Sequence, residues 1–280
     1  MRTICLALLL FVPSISVAVD ISIGGVSLVI PNPVGFSPVT QQMTMLFDIE
    51  KQFVAPANEE FVAFIPEREV SAALRDDPAD LHRRFTVQTA KSLVGVPVST
   101  SDFLKLKNVI KSQNDELMKK IEGQLPGVMK EINEGITTKY DVDLALSVAQ
   151  MVPLPVHQET DRTVAYSALV KYDAKDGNGS PAPFVAVVTT TFAHVKGRVL
   201  FLYSYAEESG LDWSKQASLE WANAVFAANP SNPQTSVKEV LPSAISGIDW
   251  EKIGAKAVVG AIVGLLIGLI GWVIKRGKAS

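Results

Sequence analysis

His157-Gln158-Glu159-Thr160-Asp161 gathers an imidazole and two carboxylates within five residues. Those types ligate metals or share acid and base roles in hydrolysis. The cluster falls in a connection between predicted strands, where polar residues ordinarily face water. His157, Glu159 and Asp161 are the candidate polar site; solvated loop residues are the competing reading. His82 and His194 stand apart from them and from each other, with no paired metal-ligand spacing. His194 alternates with Phe192 along a predicted strand. The chain has no GxSxG, no phosphate-binding glycine loop and no dinucleotide fingerprint. Trp213 and Trp221, eight apart on one predicted helix face, read as core rather than as a sugar-binding platform. The single cysteine, Cys5, lies in the N-terminal segment. The rest of the chain therefore forms no disulfide, thiolate zinc site, iron–sulfur cluster or thiol nucleophile. These residues imply no cofactor and no metal, and the expectation is a protein that is not an enzyme.

The glycines carry a different signal. Gly260, Gly264 and Gly268 recur every four residues, with Gly271 just beyond, inside Ala257 to Ile274, eighteen residues without a polar side chain other than the Trp272 indole. At 1.5 Å per residue such a helix is about 27 Å long, close to the hydrocarbon thickness of a bilayer. Residues four apart share a helix face, so the glycines open a groove that another helix can approach closely. Glycine is also simply common in spanning helices. Lys275, Arg276 and Lys278 follow the run, and Lys252 and Lys256 precede it. This mild asymmetry places the tail in the cytoplasm. Residues 253–274 are expected to span the bacterial inner membrane once, and residues 275–280 to form a short basic cytoplasmic tail. The span is expected to self-associate or to dock on another membrane protein.

At the other end, Arg2 precedes an apolar run, Ile4 to Val12. Pro13 breaks it, and Ser16-Val17-Ala18 supplies the small residues read by a signal peptidase. Residues 1–18 form the pattern of a secretory signal and are too short to span a bilayer. Residues 19–250 carry 20 basic and 28 acidic side chains, a net charge of −8. That balance argues against nucleic acid and against adhesion to anionic lipid. Residues 229–252, rich in Pro, Asn and Ser, read as a linker with a coil dimension on the order of 25 Å.

Between signal and linker, residues 19–228 alternate between the two periodicities. Gly24-Gly25 predicts a hairpin over 19–30, and Met43, Leu46, Phe47 and Phe53 a helix over 40–53. Phe61 to Ile65 reads as a strand, and Phe85 to Thr89 as a strand or a helical turn. An amphipathic helical hairpin follows over about 100–137, with Ser99-Thr100-Ser101 as N-cap candidates and Pro126 opening its second helix. Four strands come next: 141–151, 163–172, 184–195 and 198–205. The last two join through Lys196-Gly197, and their near-continuous apolar runs predict central positions covered on both faces. A helix over 211–227 ends at Asn229-Pro230. The fold class is α+β, an antiparallel sheet covered by helices, with a helical-hairpin insertion and one C-terminal transmembrane helix.

Val26-Ser-Leu-Val-Ile-Pro followed by Gly35-Phe36, then Val187-Val-Thr-Thr-Thr-Phe, Gly197-Arg-Val-Leu-Phe-Leu-Tyr-Ser-Tyr and a Trp-bearing helix, resemble the opening and closing segments of PsbP-like domains. The resemblance covers about half of residues 19–228. It implies an α/β/α sandwich in an exported or lumenal compartment, and a non-enzymatic accessory or assembly role. The 100–137 helices depart from a compact member of that family. The expected function is a membrane-tethered envelope protein that binds protein partners, with the bilayer as its other contact. A tethered hydrolase or a small-ligand carrier is the alternative.

Overall fold

The computed structural model describes residues 17–112, 123, 125–140, 147–173, 183–230 and 248–277, without the side chains of 132, 135–140 and 268–277. Residues 1–16 of the expected signal (1–18), most of the linker (231–247), the Asp176-Gly-Asn-Gly turn and the tail beyond 277 lie outside these residues.

The chain opens with a two-stranded hairpin, β1 (Ala18–Ile23) and β2 (Val26–Pro31). Gly24 and Gly25 form its turn at φ +55° and +79°, angles open to glycine at no steric cost. An eight-stranded antiparallel sheet follows. It comprises β3 (Phe36–Pro38), β4 (Asn58–Pro66), β5 (Arg84–Ala90), β6 (Ser147–Pro153), β7 (Gln158–Thr160), β8 (Thr163–Asp173), β9 (Phe184–Val195) and β10 (Arg198–Glu207). Its order is β3-β4-β5-β10-β9-β8-β6, with β7 also paired to β8. β10 and β9 are buried along almost their whole length, in the central positions that their apolar runs predict. Residues 85–89, ambiguous in sequence, are strand. β3 and β7 escape prediction because three residues are too few to show a period.

Successive residues of β10 face opposite ways. Leu200 and Leu202 join the core beneath the hairpin and α5 (Leu211–Ala228). Trp221 lies across Phe85 at 5.1 Å and Phe64 at 5.7 Å between ring centroids, and its indole donates to the Pro31 carbonyl at 2.8 Å. Small hydroxyls bring α5 close to the sheet. Ser214 Oγ is 2.8 Å from Thr189 Oγ1 and Ser218 Oγ is 2.7 Å from Thr191 Oγ1. At the end of α5, Asn229 donates to the carbonyls of Val29 (2.6 Å) and Val225 (2.8 Å) and accepts from the Val29 amide at 3.0 Å, fixing the helix end to β2.

The opposite face carries Phe201, Tyr203 and Tyr205. It is covered by α1 (Thr44–Gln52), α3 (Thr100–Ser112), α4 (Leu125–Tyr140) and α6 (Trp250–Gly277); α2 (Val70–Ala73) is a single turn beside α1. Ser99 caps α3 by accepting from the Asp102 amide at 3.1 Å. α3 and α4 are the expected helical hairpin. They belong to the layer over this face, with Phe103, Leu106, Ile110, Leu125 and Met129 in its core.

α6 begins at Trp250, where Asp249 accepts from the Lys252 amide at 3.0 Å. That amide and the Lys252 ammonium hold the Asp249 carboxyl below its ordinary range. Ala257, Val258, Ala261, Ile262, Val263, Leu265, Leu266 and Ile267 are buried against the sheet and α3. Among the described residues, no helix is long and apolar enough to cross a membrane. The 257–274 run continues past the last described side chain, Ile267.

Candidate functional site

His157, Glu159 and Asp161 lie at the β7–β8 edge but do not converge. Glu159 is held by two lysines of α3, Lys107 Nζ at 3.0 Å and Lys111 Nζ at 2.8 Å, and their hydrogen bonds keep its carboxyl below the ordinary range. The His157 imidazole sits 3.2 Å from the Ala165 carbonyl. Burial, and then the Lys215 charge, lower its pKa. Asp161 is in the turn after β7. Of the three, Glu159 fastens α3 to the sheet edge. Among the described residues, no group of three His, Cys, Asp or Glu side chains could hold a metal ion. His194 Nε2 is 2.7 Å from the Val98 carbonyl, and its ring stacks on Phe103.

The polar groups that do converge lie beneath α6. β5 alternates strictly: Phe85 and Val87 face the α5 side, while Arg84, Thr86 and Gln88 face α6. Register places Tyr203 beside Thr86 and Tyr205 beside Arg84, with Glu60 of β4 opposite Gln88. Arg84 is 1% exposed. Its Nη1 lies 3.0 Å from both carboxylate oxygens of Glu50, which α1 brings in at 3% exposure, and its guanidinium stacks 4.3 Å from the Tyr205 ring centroid. A buried pair of this kind is sustained only by close geometry, because both charges have left water. Burial raises the Glu50 pKa, and Arg84 opposes the rise. Glu60, half-buried, accepts from Gln88 Nε2 at 3.0 Å. Desolvation and then the Glu50 charge push it up to about 8, against the pull of Arg84 and Gln88.

This face holds α6 by its main chain. Asn58 Nδ2 donates to the Lys256 carbonyl at 3.1 Å, Tyr203 Oη to Ala257 at 2.8 Å and Tyr172 Oη to Ile262 at 2.7 Å; Arg84 Nη2 donates to Gly264. Burial, and then the neighbouring Tyr205, hold the Tyr172 and Tyr203 phenols well above their ordinary range, so both remain donors. Gly260 and Gly264 make the approach possible. A Cβ on Gly260 would lie 2.8 Å from Tyr203 Oη and 2.9 Å from Gln88 Oε1, and one on Gly264 would lie 2.6 Å from Tyr205 Cζ. Within the chain, these two glycines face the sheet. Gly268 and Gly271 lie beyond the last described side chain. Sequence reasoning singled out the glycines but missed Asn58, Glu50, Arg84 and the tyrosines that receive them.

Two cavities border the covered face. One of about 230 Å³ is lined by Leu81, Arg84, Phe184, Tyr205, Glu207 and Leu265. A larger one, about 580 Å³, opens between α4 and the edge strand β6, among Leu125, Met129, Val148 and Met151.

Neither a protein-family model nor a curated protein matches the chain. Among solved structures it is similar to the solution structure of cyanobacterial PsbP (CyanoP) from Synechocystis sp., at 12% identity and a TM-score of 0.27, covering 82% of this chain and 98% of that one. The chain therefore has a weak, architecture-level resemblance to PsbP, and a likeness of this degree carries no argument about function.

Proposed function

We propose that this chain is an exported envelope protein, tethered to the bacterial inner membrane by its C-terminal helix. It acts without catalysis, as an accessory or assembly protein that binds a protein partner. The observation that carries this reading is the seating of α6. A sheet face bearing Asn58, Arg84, Tyr172 and Tyr203 holds an apolar, glycine-patterned helix by its backbone carbonyls. That is a surface suited to polypeptide recognition. The signal-like residues 1–18, the apolar run to Ile274 and the basic residues after it support export with the tail in the cytoplasm. The tethering part is tested by alkaline carbonate extraction of native membranes: the full chain stays in the pellet, and release into the supernatant overturns it. The recognition part is tested with Gly264→Ile in a membrane two-hybrid assay. The substitution is expected to weaken association of the full chain with its partner or with itself, and an unchanged signal overturns a role for the glycine face.

The 580 Å³ cavity between helix and sheet, where Lys130, Glu134 and Gln150 join Leu125, Met129 and Met151, favours one alternative, a small-ligand carrier. Ligand-dependent protection of Met129 and Met151 from oxidation would distinguish it. Glu159, engaged by two lysines, does not favour a hydrolase.

A further inference from the structure

The smaller cavity, about 230 Å³, lies where β5 and β9 begin, β10 ends and α6 crosses them. Register sets its lining: Arg84 stands beside Tyr205, and Ala186 beside Glu207. Leu81, Phe184, Ala186 and Leu265 give it apolar walls. Arg84 lines it too, although the residue is only 1% exposed. Its Nη1 donates to Glu50, its Nη2 to the Gly264 carbonyl, and its face lies on the Tyr205 ring. Nε has no hydrogen-bond partner. A buried donor in that state costs more than an ordinary hydrogen bond contributes, so the fold gains when an acceptor meets it. Here the open donor belongs to a side chain that borders a space of molecular size.

The charges around this space are already matched. Both Glu50 oxygens lie 3.0 Å from Arg84 Nη1. At the mouth, Arg83 Nη2 lies 2.7 Å from Glu207 Oε1, and the exposed His82 faces Asp80 at 4.0 Å. An anion would leave water and find no unmatched counter-charge among the described lining residues. An uncharged oxygen meets no such cost, and the rest of its molecule suits the apolar walls. A cavity of about 150 Å³ takes benzene, and on that scale this one takes about nine non-hydrogen atoms.

We propose that the cavity is a binding site for a small uncharged carbonyl compound, whose oxygen accepts from Arg84 Nε while its body packs on Leu81, Phe184, Ala186 and Leu265. The site stands apart from the proposed tether, and it needs α6 in place, because Leu265 is one of its walls.

Benzamide, benzoate and cumene test this. They are alike in size and differ in what they offer Nε: a neutral acceptor, a charged one and none. Binding to the full chain is measured at neutral pH, with each free concentration determined. Benzamide is expected to bind about tenfold more tightly than cumene, which leaves Nε unpaired. A similar margin, about tenfold, is expected over benzoate. Hydrogen exchange should slow at residues 81–84 and 184–186 when benzamide is bound. Ala186→Leu and Leu81→Phe fill the cavity from opposite walls, and either variant, once shown to fold, should lose benzamide binding. If neither folds, the exchange pattern of the unaltered chain decides the location. Equal affinity for benzamide and cumene overturns the role of Nε, and preference for benzoate overturns the uncharged class. Binding that survives filling, or protection confined to other segments, overturns the location. Failure of all three compounds to bind overturns the site itself.

Discussion

The two faces of the sheet are each covered by a long helix, and the two covers are held by opposite means. Beneath α5, side chain meets side chain: Trp221 against Phe64 and Phe85, and Ser214 and Ser218 against threonine hydroxyls. Beneath α6, polar side chains of the sheet meet helix backbone, and glycine stands where a side chain would interfere. The first arrangement has no alternative partner in water, since uncovering it exposes aromatic and aliphatic surface. The second joins an apolar helix to a mixed surface, polar along β4 and β5 and apolar along α3 and β9. The contrast teaches that burial alone does not say how a layer is held; the groups that meet across it do.

The largest effect is expected from breaking the charge pair that underlies the α6 face. Arg84→Met leaves Glu50 buried without its counter-charge, at a cost of about 3–5 kcal/mol. It also removes the donor to Gly264. Urea unfolding at neutral pH should show that loss, and the loss should shrink in acid as Glu50 takes up a proton. An unchanged midpoint would mean that the pair does not support this face.

A smaller and pH-dependent effect belongs to Glu60. Its carboxyl titrates at about 8 in the folded chain, against an ordinary value of 4.5. The folded state therefore keeps a proton that the unfolded state releases. This contribution to stability is complete below about 4.5, declines as pH rises, and is exhausted above about 8. Glu50, Arg84, Gln88 and the Tyr203 and Tyr205 phenols are the groups around it. Glu60→Gln should flatten the dependence of the urea midpoint on pH across that window and raise stability at its alkaline end. A variant with the wild-type slope would refute the assignment.

The mildest test separates the two faces directly. Tyr203→Phe deletes one hydrogen bond to the Ala257 carbonyl and keeps the ring, for about 0.5–1.5 kcal/mol. Hydrogen exchange should quicken at the amides of α6 and stay unchanged along α5. Equal acceleration in both helices would show that the covers are not independent.

Much of this architecture was legible in the chain. Gly24-Gly25 and Lys196-Gly197 marked their turns, with Lys196 at φ +46° and Gly197 at +73°, and the apolar runs of β9 and β10 marked the sheet centre. The glycine spacing in 260–268 announced a close approach, but spacing names no partner. The receiving residues are scattered over α1, β4, β5, β8 and β10, and only register brings them together. One signal was available: Arg84-x-Thr86-x-Gln88 alternates polar with apolar in a strand whose two faces are both buried. Such a pattern marks a polar face under cover. The lysines of α3 that engage Glu159 were not legible, because proximity in sequence says nothing about partners from another element.

The clasp at Asn229 has a mechanical consequence. The last described residues of the main body are Asn229 and Pro230, and Asn229 is tied to both amide and carbonyl of Val29 in β2. A pull applied to the chain directly after Pro230 arrives there first. It loads those bonds and the hairpin edge together before it reaches the sheet, so the hairpin and the end of α5 act as a strain relief for the eight strands behind them.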